Sequence, residues 1–468
     1  MPPLVATILY IGVIVALFWY ERDKTRPTPG SLWVPIIWLL INGSRPVMLW
    51  FEPRSALSAD QMMEGNPVDR NIYLALQIIG VIILLGRRPA VVGILRANAA
   101  LVLYVLYCAF SVMWSDYSDV SFKHWIKMLG DVTMALIVVT TPDRSRALGR
   151  VLTAVGFILV PMSIMLIKYY PELARSYDHW TGKQFVTGVA TDKNMLGMSC
   201  LVFGLGALWR FLTTYKEEKS RLRTRRLICY GILLASTFWL FHLADSMTSM
   251  SCFFMGAALM LVINLSKRAR KPAIVHLMVA GIVGAAISVL FLHIGSGAAL
   301  GALGRNPTLT GRTEIWAGLL NFVDNPLLGS GFDGFWLGKR LERIWAAGSF
   351  LQGINESHNG YFEVYLNLGW VGVALLAGLI VTGYRKATLA LRQSIELASL
   401  KLVFFVIAIV YSFTEAGFRI MCSVWFAFLL SLLIPSTSAV RRSQLVTIPW
   451  GARGDTAESQ SRYTGVSA

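Results

Sequence analysis

The sequence predicts an all-α membrane protein, a polytopic transmembrane helical bundle of about 12 to 13 spans with one large extracytoplasmic loop. The first observation is composition, because 55% of the 468 residues are hydrophobic, 15% are charged and the mean hydropathy is +0.57. A soluble fold of this length cannot bury so much apolar surface, so the bilayer must cover part of it. The other two observations are the recurrence of long apolar stretches and the alternation of basic segments along the chain.

The apolar stretches approach or exceed the roughly 17 to 25 residues that a helix needs to cross the hydrocarbon layer. In chain order they cover residues 4–20, 32–51, 72–86, 99–114, 128–141, 151–169, 194–212, 227–243, 247–265, 274–294, 361–383, 402–415 and 419–433. We therefore predict one membrane domain over residues 1–435. The polar remainder, residues 436–468, is predicted to be a disordered cytoplasmic tail.

The net charge of +17 is an orientation signal. Counting Lys and Arg by side places about 28 of them in segments facing the cytoplasm and about 11 in the larger outward segments, as the positive-inside rule requires. The basic residues are scattered over short loops and do not gather with aromatic side chains on one face, so nucleic acid is not an expected partner. We expect a multi-pass protein of the bacterial inner membrane.

The large outward loop, about residues 295–360, exceeds the usual length of a connection and is the predicted functional region. Apolar side chains recur at helical spacing over residues 312–323 and again over residues 335–345. These two stretches predict short interfacial helices whose apolar faces turn toward the membrane. Such helices suit a site that meets a lipid headgroup.

The polar cluster at the end of this loop contains candidate chemical groups. His358 stands in the run NESHNGY, directly before an apolar span, with Glu356 and Asn359 beside it. A histidine at a helix start is often a cap or a hydrogen-bonded structural residue, so both interpretations stay open at this point. The same loop carries Arg305 and Arg312, whose outward position suggests either phosphate binding or a salt bridge, for Arg312 with Glu314 or Glu356.

Two shorter outward segments carry further candidates. Arg175 lies in the segment before the seventh span, and the span itself opens on Asp192, Lys193 and Asn194. These residues are predicted either to line a polar cavity or to serve locally, with Asp192 as an N-cap and Lys193 reaching the interface. Asp245 begins the polar run DSMTS between two spans, where the side chains line a cavity or cap helices.

The absence of several sequence motifs narrows the chemistry. The sequence contains no Walker-type glycine loop, no HExxH and no Cys or His cluster with metal-ligand spacing. This argues against nucleotide-driven or metal-dependent catalysis. A transferase working outside the cytoplasm would need a substrate that was activated in advance, such as a lipid diphosphate.

Several of these segments together resemble the O-antigen ligase and polymerase superfamily, the Wzy-C family. The matching segments are GRTEIW at 311–316, NPLLGSGF at 325–332, SHNGY at 357–361, GWVG at 369–372 and DKNMLG at 192–197. The ten residues between His358 and Gly369 are similar to a spacing found in the polymerases of the family. The resemblance covers about residues 190 to 375.

The resemblance implies an inverting, metal-independent glycosyltransferase that needs no cofactor and acts at the periplasmic face of the membrane. Its donor would be an undecaprenyl-diphosphate-linked oligosaccharide. Carried over by position, His358 would be the general base on the acceptor hydroxyl and Arg312 would hold the departing diphosphate. Arg175, Lys193 and Arg305 are predicted further diphosphate contacts.

The run DSMTS at 245–249 departs from ligases that transfer glycan to lipid A core, which often carry an arginine there. Its Ser and Thr residues look more like the exopolysaccharide polymerases of the ExoQ type. We therefore predict a polysaccharide polymerase, with membrane lipids, a chain-length regulator and an export complex as expected partners. A ligase of the same fold and a transporter or flippase of the lipid-linked oligosaccharide are the alternatives.

Overall fold

The computed structural model describes residues 2–23, 25, 27–51, 65–177, 182, 184–291, 312–392 and 395–433. Within them the chain is almost entirely helical, so the predicted all-α membrane bundle is confirmed. Arg305 and the predicted tail at 436–468 lie outside the described residues.

The helices follow one another along the chain with short connections. They are α1 Pro3–Glu21, α2 Trp33–Asn42, α3 Met48–Phe51, α4 Pro67–Leu85, α5 Arg88–Ala97, α6 Ala99–Ser111, α7 Ser118–Thr140, α8 Arg144–Tyr169, α9 Pro171–Ala174, α10 Lys193–Tyr215, α11 Arg221–Ala244, α12 Met247–Leu265, α13 Pro272–Phe291, α14 Arg312–Leu320, α15 Gly338–Ala346, α16 Gly360–Ala390, α17 Ile395–Tyr411 and α18 Ser423–Leu433. Strands β1 Arg175–Tyr177 and β2 Gln184–Val186 form a small antiparallel hairpin in which Ser176 lies opposite Phe185.

A helix occurs at each of the thirteen predicted spans, but fewer are long and apolar enough to cross a membrane alone. Among the described residues seven meet that test, namely α1, α4, α8, α10, α11, α12 and α16, and an eighth arises if α5 and α6, bent by 90°, form one broken span. The second predicted span ends as a helix at Asn42, because Gly43 to Pro46 interrupt it. Helix α18 has only 11 residues, and all of them are buried within the bundle.

The core of the bundle is built around α10, α17 and α18. Helix α10 packs against α8, α11 and α12, while α17 packs against α12 and α18. Large aromatic side chains fill the spaces between them, and Trp209, Phe405 and Trp425 are fully buried. This packing fixes the ends of α10, α17 and α18, where the candidate site lies.

The described part of the large loop forms a small layer on one end of the bundle. Helices α14 and α15 confirm the two predicted short helices, and their residues Leu319 and Ile344 are fully buried in a second apolar cluster. Phe335, Trp336 and Leu366 complete its centre, so the layer has a core of its own. Part of the apolar face of each short helix is therefore covered by protein.

Helix α16 is broken at Gly369, and the break ties the layer to the bundle. Gly369 has φ 62° and ψ −166°, a conformation that is essentially restricted to glycine. The amides after it turn outward, so that Trp370 N donates to Pro326 O at 2.9 Å and Val371 N donates to Leu327 O at 3.2 Å. The predicted spacing from His358 to Gly369 therefore places a bend one short helix after the histidine.

Candidate functional site

The candidate site is a cavity of about 210 Å³ enclosed by three segments. These are the start of α10, the segment before α16, and residues 412–422, which we call the α17–α18 loop. The polar side chains that line the cavity are those of Asn42, Asp192, Asn194, Glu356, Glu415 and Arg419, together with Tyr411 and Ser423. The cavity thus combines carboxylates, amides and a guanidinium group on residues far apart in sequence.

Glu415, in the α17–α18 loop, lies at the centre of the polar contacts. Its Oε1 is 2.9 Å from Nη2 of Arg312, and Nη1 of Arg312 donates to the carbonyl oxygen of Thr414. Its Oε2 accepts a hydrogen bond of 3.3 Å from Nδ2 of Asn194 and lies 3.3 Å from Nδ1 of His358. Arg312, Asn194 and His358, all predicted from sequence, therefore meet on one buried carboxylate.

His358 lies between two carboxylates, with Nδ1 at 3.0 Å from Oε1 of Glu356 and 3.3 Å from Oε2 of Glu415. Burial alone lowers the pKa of this imidazole, but the hydrogen bonds and negative charges of the two glutamates outweigh burial. They raise the pKa of His358 from 6.5 to about 10. Burial raises the pKa of Glu356, whereas its bond to His358 and the charge of Arg419 lower it further than burial raises it. At neutral pH the substrate-free site therefore holds an imidazolium between two carboxylates.

The chain holds His358 in an unusual backbone conformation, with φ 51°. The carbonyl of Ser357 accepts from Nε1 of Trp316 at 2.8 Å, while Asn359 caps α16 by accepting from the amides of Tyr361 and Phe362. The amide of Gly360 donates to the carbonyls of Ser412 and Glu415, which joins this segment to the α17–α18 loop. A left-handed non-glycine residue is strained, so neighbours on both sides must impose it.

A buried carboxylate on α7 holds the other end of the α17–α18 loop. Oδ2 of Asp131 accepts from the amide of Met421 at 2.9 Å, and Oδ1 accepts from Nε1 of Trp38 at 2.8 Å. Asn42, which lines the cavity, lies at 3.5 Å from the same Oδ1. Asp131 is fully buried, so its contacts fix the loop relative to α2 and α7.

The start of α10 confirms the local interpretation of Asp192. Its Oδ1 accepts from the amides of Asn194 at 2.8 Å and Met195 at 2.9 Å, which is an N-cap. Burial at the cavity raises the pKa of Asp192, and the charges of Glu356 and Glu415 add to this effect. Arg45 holds the preceding turn, since its guanidinium donates to the carbonyls of Leu173, Gly188, Val189 and Ala190.

Other sequence candidates lie outside the described lining of the cavity. Arg175 is exposed on β1 and donates to the carbonyl of Ile167 at 3.3 Å. Asp245 ends α11 in a left-handed conformation, and Lys193 occupies the first turn of α10. The structure brings Arg312, His358, Glu356, Asp192 and Asn194 together, whereas the diphosphate-binding roles of Arg175, Lys193 and Arg305 stay predictions.

Sequence reasoning did not single out Glu415 and Arg419, which the structure adds to the site. Nη1 of Arg419 lies 3.6 Å from Oε2 of Glu356, so Arg419 forms the opposite wall from Arg312. Both residues stand at the borders of predicted spans, at 402–415 and 419–433. The signal was present, because an ionisable pair at the end of an apolar helix is costly unless it serves a site.

The donor atoms of Glu356, His358 and Glu415 lie within 4.8 Å of one another, so a metal ion is a conceivable occupant. The charges around them do not favour one. Glu415 is paired with Arg312, Glu356 faces Arg419, and the shared imidazole nitrogen carries a proton at neutral pH. A cation would have to displace that proton and approach two guanidinium groups, whereas an anionic ligand would not.

This helical membrane bundle, with an arginine and a histidine converging under an outer loop, is of the O-antigen ligase type. Residues 230–377 match the model of the family described as O-antigen ligase, Wzy-C, which covers α11 to the middle of α16 and includes Arg312 and His358. The chain is also 26% identical over 291 residues to the "Exopolysaccharide production protein ExoQ" of Rhizobium meliloti (strain 1021). That match takes in 60% of this chain and 63% of the relative, somewhat less than two thirds of the relative's length. The predicted resemblance is thereby confirmed.

Proposed function

We propose that this protein is a polysaccharide polymerase of exopolysaccharide biosynthesis, which transfers lipid-diphosphate-linked oligosaccharide units onto a growing chain. The observation that carries the proposal is the convergence of Arg312 and His358 on Glu415 at one cavity. The likeness to an exopolysaccharide production protein favours this product class. The donor would be undecaprenyl-diphosphate-linked, with the site facing the periplasm and with membrane lipids, a chain-length regulator and an export complex as partners.

Arg312 is suited to hold the diphosphate. Its two terminal nitrogens are engaged by Thr414 and Glu415, and within the described residues its Nε donates no hydrogen bond. The edge formed by Nε and the second hydrogen of Nη2 therefore stays available for two phosphate oxygens. A fixed guanidinium there stabilises the negative charge that develops on the leaving diphosphate.

The acceptor hydroxyl must lose its proton as its oxygen attacks the anomeric carbon. In the proposed inverting step the new C–O bond forms, the C–O bond to phosphate breaks, and the bonding electrons leave with the diphosphate. The proton passes to the unit of His358, Glu356 and Glu415. The imidazole accepts it directly only after passing its own proton to a carboxylate, because the pKa of His358 is raised to about 10 in the substrate-free site.

The experiment is polymerisation by the purified protein in proteoliposomes, with a lipid-diphosphate oligosaccharide and no added metal. Wild type should produce a ladder of products. Arg312→Ala should lower the rate by about 100- to 1,000-fold, as removal of one charge-stabilising donor does elsewhere, and His358→Ala should lower it comparably. Arg343→Ala is the matched control, because Arg343 is exposed on α15 away from the cavity lining. Ladders of undiminished yield from both site variants would overturn the proposal.

The second candidate is a ligase, which the description of the matching family favours. It predicts a single transfer of preformed glycan onto a lipid A core acceptor, with no ladder. The third, a transporter or flippase, predicts movement of the lipid-linked unit across the vesicle without new glycosidic bonds. Product analysis of the same reaction separates the three.

A further inference from the structure

We infer that Glu415 is a positioning residue of this site, which holds the diphosphate-binding face of Arg312 and the imidazolium of His358 in one arrangement. The inference rests on the proposed function and deepens it. Glu415 lies outside residues 230–377, the segment that matches the family model.

The first argument is convergence from separate parts of the fold. Arg312 opens α14, His358 precedes α16 and Asn194 is in the first turn of α10. Each donates to, or lies within hydrogen-bonding distance of, the Glu415 carboxylate, at 2.9, 3.3 and 3.3 Å. A single side chain therefore sets the mutual distance of two groups that must act on opposite ends of one bond.

The second argument is the use made of the carboxylate's two oxygens. Oε1 takes Arg312, while Oε2 takes His358 and Asn194, so the two cations occupy different oxygens. Thr414 O binds the other terminal nitrogen of Arg312, and its position follows from the same loop. The end of the guanidinium is thus held by residues 414 and 415, which directs its Nε edge away from them.

The third argument is burial. The Glu415 side chain is only 7% exposed, against 22% for Arg312 and 29% for His358. A buried carboxylate is costly unless it is paired and hydrogen-bonded, and here every partner is a candidate functional group. Truncation of Glu415 would leave two cations close together with no shared counter-ion.

Glu356 provides a matched comparison within the same cavity. It pairs with His358 at 3.0 Å and with Arg419 at 3.6 Å, but within the described residues it has no contact with Arg312. A glutamate that acts through Arg312 can therefore be distinguished from one that acts on His358 alone. The loop itself should survive either change, because Gly360 binds the backbone carbonyl of Glu415 and not its side chain.

The test is a double-mutant cycle on kcat/KM for the lipid-diphosphate donor, in proteoliposomes with radiolabelled oligosaccharide. Glu415→Ala should lower kcat/KM at least about tenfold in the wild-type background and less than about twofold in Arg312→Ala, because its action runs through that arginine. Glu356→Ala should lower it by a similar factor in both backgrounds. Losses by Glu415→Ala that multiply with those of Arg312→Ala would overturn the inference.

Inorganic pyrophosphate, used as a competitive probe of the diphosphate position, supplies the second readout. Glu415→Ala should weaken its inhibition about tenfold, whereas Glu415→Gln, which keeps an oxygen for Arg312, should hold inhibition within about threefold of wild type. Equal weakening by Gln and Ala would count against positioning through this hydrogen bond. Failure of wild type to form any product would instead refute the proposed function.

Discussion

Replacement of Gly369 by alanine probes the break in α16 that joins the outer layer to the bundle. A Cβ atom at this position would lie 2.2 Å from the carbonyl oxygen and 2.3 Å from the carbonyl carbon of Leu327, and 2.5 Å from the amide nitrogen of Leu328. All three are backbone atoms, so no side-chain rotation relieves the overlap. The backbone itself must move.

The magnitude follows from two contributions. A non-glycine residue in this region of φ and ψ costs about 1 to 3 kcal/mol. Relief of the overlap also breaks the hydrogen bonds from Trp370 and Val371 to the loop, which are worth about 1 kcal/mol each. We expect Gly369→Ala to lower the free energy of unfolding by about 3 to 5 kcal/mol. Polymerisation should fall as well, because the same break orders the segment that follows α14.

The assay is an SDS titration of the protein in mixed micelles, followed by tryptophan fluorescence. Gly378→Ala is the control, since Gly378 lies in the same helix and a Cβ atom added there would have no neighbour within 4 Å. That change should stabilise the helix by about 0.5 to 1 kcal/mol through propensity alone. If the two variants unfold at the same SDS fraction, the account of the break is refuted.

Two further predictions concern the cavity. Asp192→Ala should destabilise α10 by about 0.5 to 2 kcal/mol through loss of its N-cap, while Asp192→Asn should restore most of it; equal losses in the SDS titration would argue against capping. The pKa of His358 is raised in the folded state from 6.5 to about 10, so its stabilising contribution is complete below about pH 6.5 and is lost as pH rises toward 10. Unfolding midpoints measured from pH 6 to pH 10 should therefore fall less for His358→Gln than for wild type, and parallel profiles would contradict the ion-pair arrangement.

Local sequence patterns were sufficient for the helices and for part of the site. Apolar stretches located a helix at every predicted span, and the spacing over 312–323 located α14. The N-cap of Asp192 could be predicted because it depends only on the residues that follow it. The number of independent spans could not, since α18 is short and wholly enclosed by other helices.

The role of Arg312 shows where local patterns end. Sequence spacing suggested Glu314 or Glu356 as its partner, because both are near it in the loop, but the carboxylate in contact is Glu415, 103 residues away. Such a pair forms only when α14 and the α17–α18 loop are brought together by packing. Nothing in the residues around Glu415 indicates which cation it will meet.

The sequence by itself determined that this chain is a helical membrane protein with a functional outer loop carrying His358 and Arg312. These features depend on composition and short-range spacing, which solvation and helix geometry convert directly into structure. Only the tertiary structure decided that His358 is an imidazolium held by two glutamates and that Glu415 joins it to Arg312. Protonation and ion pairing depend on distances between segments remote in the chain, and packing sets those distances.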